Sequence, residues 1–207
     1  MRENAQSLKV RIVYDASARA TPEAPSLNDC LYPGPALQNK LWDVLVRQRA
    51  YPIVVTGDIA KAFLQVQIKE EDRDALRFHW RANNEQPVET YRFTRALFGL
   101  TSSPFLLGGV IETHLKTWAH RYPAEADLLR RSLYVDDLIS WGTDVTLARE
   151  RKEFAVAALG DAKFKLRKWH SNTSSRVRPR QRTQKFPSQN RNWERPPEKQ
   201  NCLAENK

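Results

Sequence analysis

The sequence lacks the features that would place the protein in a membrane or an oxidising compartment. Two cysteines occur in 207 residues, Cys30 and Cys202, and their positions match no metal-binding or disulfide spacing. The longest apolar runs, such as PFLLGGVI, are far too short to span a bilayer, and the opening MRENAQ has no apolar signal-peptide core. We therefore expect an intracellular, cytoplasmic protein with no membrane partner.

Length and composition favour one domain with an appendage. A hydrophobic share of 41% is enough for a core. The net charge of +10 is concentrated at one end, because residues 171–207 carry nine Lys/Arg and three Glu, a net of +6. That segment is rich in Pro, Asn, Gln and Ser and poor in apolar residues, which predicts a disordered tail. Such a tail either binds nucleic acid through its charge or is simply solvated.

Two adjacent carboxylates, Asp136 and Asp137, stand inside the apolar stretch SLYVDDLISWG. A solvated turn would need no function, because Asp is common in turns. Within a buried segment, however, unpaired carboxylates are costly and repel each other. We predict a tight hairpin with SLYV and LISW as its strands and Asp136-Asp137 at the bend. This arrangement puts at least one carboxylate at the rim of a sheet.

The rest of the chain predicts alternating strands and helices. In order, we expect a strand at 53–56, a half-buried strand at 64–68, a hairpin over 76–93, a helix from about 103 to 118, the acidic hairpin, a helix from about 147 to 159 and a strand within 162–169. With the 76–93 hairpin set aside as an insertion, the order is β-α-β-β-α-β. That is the split βαβ arrangement, an α+β fold with two helices on one face of an antiparallel sheet.

This topology brings Asp58, at the end of the first strand, close to Asp136 and Asp137. Three clustered carboxylates repel each other unless cations neutralise them. Hard oxygen ligands at an open site suit Mg²⁺, and two such ions about 3.5–4 Å apart can support phosphoryl transfer. We assign Asp58 and Asp136 to metal coordination and Asp137 to support of the same cluster.

Several stretches, in order, resemble the motifs of reverse transcriptases. YVDD at 134–137 resembles the family's Tyr-x-Asp-Asp motif, GDIAKAFLQVQI resembles its first palm motif with Asp58 as the metal ligand, and LFGLTSSPFL resembles its second. More narrowly, KVRIVYDASA, YVDDLIS and FKLRKWHSN are similar to the polymerases of Bel/Pao-type LTR retrotransposons. The resemblance extends from about Lys9 to Asn172.

The resemblance implies a ferredoxin-like palm over residues 53–172, with 76–93 as a hairpin insertion. A partial fingers segment over 1–52 would precede it, and the disordered basic tail over 173–207 would follow. The implied activity is RNA-directed DNA polymerase, with a dNTP joined to a primer 3′-hydroxyl on an RNA or DNA template. The implied cofactors are two Mg²⁺ ions, with Mn²⁺ as an alternative. Because the palm pattern stops after Asn172 without a helical thumb, we expect a truncated or frame-shifted fragment.

Five residues have an implied role at the incoming nucleotide. Phe63 would lie beneath the sugar and exclude a ribose 2′-hydroxyl. Gly99 would let the nucleotide approach closely because it lacks a Cβ, and the neighbouring Phe98 would make apolar contacts. Arg11, with Lys9 as a weaker candidate, would pair with the triphosphate.

Three more residues are implied near the reacting groups. Tyr134 would support the primer end by stacking, and Lys168 or His170 would protonate the pyrophosphate leaving group. Each assignment has a structural alternative. Phe63 and Tyr134 also read as packed aromatics, and Arg11 as a solvated basic residue.

Two other functions stay open at this point. One is an inert remnant that binds nucleic acid through charge alone. The other is an RNA-templated RNA polymerase, which would need a small or polar residue at Phe63. An aspartic protease is excluded because no Asp of the cluster lies in an Asp-Thr/Ser-Gly loop. The sequence leaves the oligomeric state open.

Overall fold

The computed structural model describes residues 13–173 and a two-residue strand farther along the chain. The α-helices are α1 (Leu27–Cys30), α2 (Leu41–Arg49), α3 (Ala62–Gln65), α4 (Ser103–Ala119), α5 (Pro123–Ser132) and α6 (Val145–Asp161), with a 3₁₀ helix at Glu70–Leu76. The strands are β1 (Ile53–Ile59), β2 (Arg77–Trp80), β3 (Glu89–Phe93), β4 (Leu133–Tyr134), β5 (Asp137–Gly142), β6 (Leu166–Ser171) and β7 (Trp193–Glu194). The predicted α+β class is confirmed.

The main sheet has four antiparallel strands in the order β4-β5-β1-β6. β1 therefore lies in the middle, between two strands that come much later in the chain. α4 and α5 connect β1 to the β4–β5 hairpin, and α6 connects β5 to β6. This is the strand order that the split βαβ prediction requires.

One face of this sheet packs on helices and forms the core. In β1, Val55, Gly57 and Ile59 are buried, whereas the residues between them are more exposed. This alternation follows from the two-residue period of a strand. The largest fully buried side chains are Ile59, Leu107, Leu115, Leu138, Leu159 and Phe164. Thr56 and Asp58 lie on the opposite face of the sheet, together with their neighbours on β5 and β6.

A smaller sheet contains the predicted 76–93 hairpin. β2 and β3 pair antiparallel, with Arg77 opposite Arg92 and Trp80 opposite Glu89. Trp193–Glu194, from within the segment expected to be disordered, pairs with β3. The remainder of that predicted tail, 174–192 and 195–207, lies outside the described residues.

The predicted strand at 64–68 is wrong. The chain instead forms the short helix α3, followed by an isolated bridge between Gln67 and Arg95. Ala62, Phe63 and Val66 are buried together. A three-residue spacing places side chains on one side of a helical turn, so helical packing overrides the brief alternation of LQVQI.

α5 is a second unforeseen element. It follows α4 after a break at residues 120–122, and Pro123 occupies its first helical position. Proline suits that position because the first amide of a helix has no internal partner.

The two predicted longer helices are confirmed as α4 and α6. α6 begins at the Asp144 cap, whose carboxylate accepts from Thr146 N and Leu147 N. In the described part of the chain, no helix is both long and apolar enough to cross a membrane.

Gly57 has little room for a side chain where β1 meets β6. A Cβ at Gly57 would lie 3.0 Å from the Trp169 ring, which Lys152 covers from α6 with Nζ 4.6 Å from the ring centroid. Because the ring is held between the backbone of β1 and a buried lysine, it cannot move aside easily. We expect Gly57→Ala to lower the free energy of unfolding by about 1–3 kcal/mol through overpacking, measured by urea denaturation.

Gly160→Ala is the matched control for this prediction. Gly160 lies in α6 with nothing within 4 Å of an added Cβ. The alanine should therefore stabilise the protein by up to about 1 kcal/mol through helix propensity. Equal effects of the two substitutions would contradict the packing described for Gly57.

Candidate active site

Pairing between β1 and β5 brings the predicted acidic residues together. Asp58 lies directly opposite Asp137 in the antiparallel register. Opposed residues project from the same face of a sheet, with Cβ atoms about 4.5–5.5 Å apart. The backbone of Asp136 is tied to the same strand, because Ile59 N donates to Asp136 O at 2.9 Å. Residues 58, 136 and 137 therefore meet at one end of the sheet.

The bend of the acidic hairpin is one residue earlier than predicted. Tyr134 pairs with Asp137, so Val135 and Asp136 form the two-residue connection and Asp137 begins β5. The prediction of Asp136-Asp137 at the bend is wrong because the register of β5 places Asp137 in the ladder with Asp58. Alternation along β5 then fixes which face Asp137 occupies.

Val135 has an unusual backbone at this bend, with a φ of 53°. The left-handed region is unfavourable for a β-branched residue, and such conformations cost about 1–3 kcal/mol. Val135 also packs against the main hydrophobic core. The apolar contact and the hairpin register together hold the strained bend that presents Asp136.

The carboxylates at this rim perturb one another. Partial burial, followed by the negative charge of Asp58, raises the pKa of Asp136 above its usual value. Partial burial raises the pKa of Asp137 as well, and the charges of Asp136 and Asp58 add to the effect. The positive charge of Lys168 opposes both changes. The site therefore carries more negative charge than its surroundings neutralise.

Asp58 has two cationic neighbours on β6. Arg167 Nε and Lys168 Nζ each lie 3.2 Å from the same oxygen, Oδ2. The register between β1 and β6 shifts at this point, so that Asp58 pairs with Arg167 and Thr56 with His170. Lys168 lies in the resulting bulge with a φ of 52°. Bulges re-aim side chains, and this one directs Lys168 onto the acidic rim.

The three carboxylates fit a divalent ion by their chemistry. They supply hard oxygen donors, and a cation would offset their mutual repulsion. Across residues 13–173, no group of three or more His, Cys, Asp or Glu side chains is close enough to hold a metal as it stands. At this rim, the Asp58 carboxylate faces Arg167 and Lys168 instead. A metal would have to draw Asp58 away from them.

The residues assigned to the nucleotide form a second cluster. Phe63 is buried, and its ring meets that of Phe98 edge-on at a centroid distance of 4.7 Å. Phe98 is 56% exposed and covers one side of Phe63. Gly99 follows with a φ of 89°, a conformation that favours glycine. The structure thus brings Phe63, Phe98 and Gly99 together.

The remaining predicted site residues are Tyr134, His170, Arg11 and Lys9. Tyr134 is half-buried and pairs with Asp137 at the hairpin bend. His170 is exposed on β6, opposite Thr56, and so lies farther along the sheet than Lys168. Arg11 and Lys9 lie outside the described residues.

Two asparagines support these clusters and were not foreseen. Asn28 donates from Nδ2 to Gly99 O at 2.9 Å and accepts from Thr101 N at 3.0 Å. Asn39 donates from Nδ2 to the carbonyls of Arg130 and Leu133, both at 2.7 Å. These bonds fix the Gly99 loop and the start of the acidic hairpin. Nothing in the local sequence of either asparagine indicates a partner so distant in the chain.

Arg167 was also missed, although a signal for it existed. The strand predicted within 162–169 contains Arg167 and lies beside the first strand in a split βαβ sheet. A basic residue on the face that Asp58 occupies would then lie close to it. Of the basic residues in this part of the chain, only Lys168 and His170 have a predicted role.

A split βαβ sheet with three carboxylates at one end is the type of arrangement that can serve metal-dependent phosphoryl transfer. Residues 13–175 match the family model described as reverse transcriptase (RNA-dependent DNA polymerase). Because the match covers well over half of the chain, the protein belongs to the reverse transcriptase family. The comparison with curated proteins gave no match. As a family, reverse transcriptases bind a nucleic-acid template, a primer and dNTPs, and use divalent metal ions.

The raised carboxyl pKa values predict how stability depends on pH in metal-free protein. Between the usual carboxyl pKa, about 3.9, and the raised values, the folded state binds more protons than the unfolded state. The free energy of unfolding therefore falls as pH rises through this window. We expect Asp136→Asn to raise the thermal midpoint at about pH 7.5 in EDTA, with the gain shrinking toward about pH 3, where the carboxyl is protonated in both states.

Asp72→Asn serves as the control, because Asp72 is exposed in the 3₁₀ helix. It should show no comparable gain at neutral pH. A lower midpoint for Asp136→Asn than for the parent at neutral pH would contradict the repulsion described at the rim.

Proposed function

We propose that the chain is the palm-containing part of a Bel/Pao-type LTR retrotransposon reverse transcriptase. It joins a dNTP to a primer 3′-hydroxyl on an RNA or DNA template by two-metal nucleotidyl transfer. The observation that carries this proposal is the pairing of Asp58 with Asp137 beside the Asp136 bend. The subtype rests on the similarity of KVRIVYDASA, YVDDLIS and FKLRKWHSN to that group.

Asp58 and Asp136 would hold the divalent ions, and Asp137 would support the same cluster. Two bound ions, Mg²⁺ or alternatively Mn²⁺, would activate the attacking hydroxyl and stabilise the leaving oxygen. Asp136 is the half-buried member of the hairpin pair, whereas Asp137 is exposed. This difference supports direct coordination by Asp136 and a secondary role for Asp137.

Phe63, Phe98 and Gly99 would form the floor under the incoming nucleotide. Gly99 offers backbone without a Cβ, which permits close approach by the sugar and phosphates. Phe63 is held rigidly beneath Phe98, so a ribose 2′-hydroxyl would meet an apolar ring that cannot hydrogen-bond it. Arg11 and Lys9 would bind the triphosphate.

Tyr134 would lie against the primer end, where its ring supports stacking. Of the two candidate general acids, Lys168 has the better position, because its Nζ already lies at the acidic rim. His170 would then be the less favoured candidate. We assign residues 1–52 to partial fingers, 53–172 to the palm with 76–93 as a hairpin insertion, and 173–207 to a basic tail.

The central test is primer extension by Asp136→Asn. Stabilisation by bound metal contributes several kcal/mol to such a reaction, so losing a ligand should lower the rate by about 100-fold or more. The full chain is assayed on a primed homopolymer template with Mg²⁺, and incorporation of labelled dNTP is measured. Asp72→Asn, with the same loss of charge, should retain the parent rate.

Incorporation that survives Asp136→Asn would contradict the metal assignment. A folded parent chain that binds template but incorporates nothing would favour the inert-remnant alternative. Circular dichroism of each variant establishes that the comparison is between folded proteins.

A second test concerns the choice of sugar. Phe63→Ala should open space beneath the nucleotide and raise the use of ribonucleotides relative to deoxyribonucleotides by about tenfold or more, since relieving a clash of this kind is worth on the order of 1–3 kcal/mol. The ratio of kcat/KM values for the two nucleotides is measured. Phe93→Ala, another aromatic of the described chain, should leave that ratio unchanged, and equal ratios for both variants would contradict the assignment.

A further inference from the structure

The Asp58 carboxylate is part of an ion cluster in which one member, Arg167, has no role in the proposed reaction. Arg167 Nε donates to Asp58 Oδ2 at 3.2 Å, and Lys168 Nζ lies 3.2 Å from the same oxygen. The Asp58 side chain is 25% exposed, so water screens this cluster less than it would a fully exposed pair. One of the two Asp58 carboxylate oxygens, Oδ2, is therefore already in contact with two positive groups.

The backbone sets the positions from which these cations reach Asp58. Arg167 is the register partner of Asp58, and the strand bulge that follows contains Lys168. Immediately afterwards, Trp169 packs on Gly57 from the other face of the sheet. The ladder and the Trp169 contact therefore hold the backbone of β6 beside Asp58, while the ends of the Arg167 and Lys168 side chains remain partly exposed.

We propose that Arg167, assisted by Lys168, is the internal counter-ion that sets the affinity of Asp58 for divalent metal. This inference rests on the proposed metal site. In the metal-free protein, the two cations offset the charge of Asp58 and reduce repulsion at the rim. A metal ion must displace them from Oδ2 or bind beside them, and either route weakens its binding.

An alternative role for Arg167 predicts the opposite change in metal affinity. If Arg167 oriented Asp58 for metal binding, its removal would weaken the metal site. If it competes, its removal strengthens the site, because Asp58 Oδ2 no longer has to give up its ion pair with Arg167 when a metal binds. At a partly exposed site we expect the Kd for the metal to fall about tenfold in Arg167→Gln.

The experiment measures Mn²⁺ binding to the full chain by isothermal titration calorimetry, without nucleotide or template. The parent, Arg167→Gln and Arg149→Gln are compared. Arg149 is exposed on α6, so its replacement removes the same charge from a site away from the rim. Arg149→Gln should bind Mn²⁺ with the parent affinity, whereas Arg167→Gln should bind it about tenfold more tightly.

A double-mutant cycle with Asp58→Asn separates the direct contact between Arg167 and Asp58 from the general effect of a positive charge near the metal. Once Asp58 is neutral, Arg167→Gln should change Mn²⁺ affinity much less than it does in the parent. Thermal unfolding gives a second readout. Without metal, Arg167→Gln should melt below the parent, because the rim loses a positive neighbour, and saturating Mn²⁺ should close that gap.

The outcomes distinguish the two proposals. Mn²⁺ binding that is unchanged or weaker in Arg167→Gln, with the parent site intact, would overturn the counter-ion role and leave the metal site standing. Failure of the folded parent and all variants to bind Mn²⁺ would overturn the proposed metal site and this inference together. If Arg167→Gln does not fold, Lys168→Gln takes its place, and tighter Mn²⁺ binding is again the expected result.

Discussion

The antiparallel pairing of β1 with β5 is the constraint on which the rest of the site depends. Its register sets Asp58 opposite Asp137 and ties the Asp136 backbone to Ile59. A shift by one residue would turn Asp58 toward the helices and bury its charge in the core. Because Val55, Gly57 and Ile59 are buried on the helix side, the hydrophobic pattern of β1 forbids that shift. The core therefore specifies the position of the carboxylates.

The charged side chains of the site lie on the opposite face of the same strands and affect one another. Partial burial, with added repulsion between the carboxylates, raises the pKa values of Asp136 and Asp137, while Arg167 and Lys168 contact Asp58. The backbone has a positive φ at Val135 in the hairpin bend and at Lys168 in the β6 bulge. Each of these positions brings a charged group to the rim, Asp136 in the first case and Lys168 in the second. Strain and unbalanced charge thus coincide at the rim where the metal site is proposed.

Sequence reasoning succeeded where hydrophobic pattern and motif order agree. The strand order and the meeting of Asp58 with the acidic hairpin follow from the β-α-β-β-α-β pattern. Short elements were harder to predict, since LQVQI satisfies both a strand and a helical turn, and only burial of Phe63 and Val66 decides between them. The exact bend of the hairpin depended on a register that alternation alone leaves uncertain by one residue.

The supporting contacts were beyond sequence reasoning for a different reason. Asn28, Asn39 and Arg167 act across separations of more than 70, 90 and 100 residues, as the bonds to Gly99, Arg130 and Asp58 show. Polar side chains have no periodic pattern that would reveal such partners. Their assignment needs the fold first, after which Arg167 follows directly from the pairing of β6 with β1.

The hydrogen bonds of Asn28 and Asn39 limit where the chain of this polymerase could be separated into parts. Asn28 and Asn39 precede the proposed palm, yet they donate hydrogen bonds to backbone carbonyls within it. The proposed boundary at residue 52 therefore does not separate two parts of the chain that are independent in their contacts. In a chimera of two such enzymes, a crossover between residues 40 and 96 would place both asparagines and their carbonyl partners on segments from different parents. The bonds would then form only if the second parent holds those backbone carbonyls in the same positions.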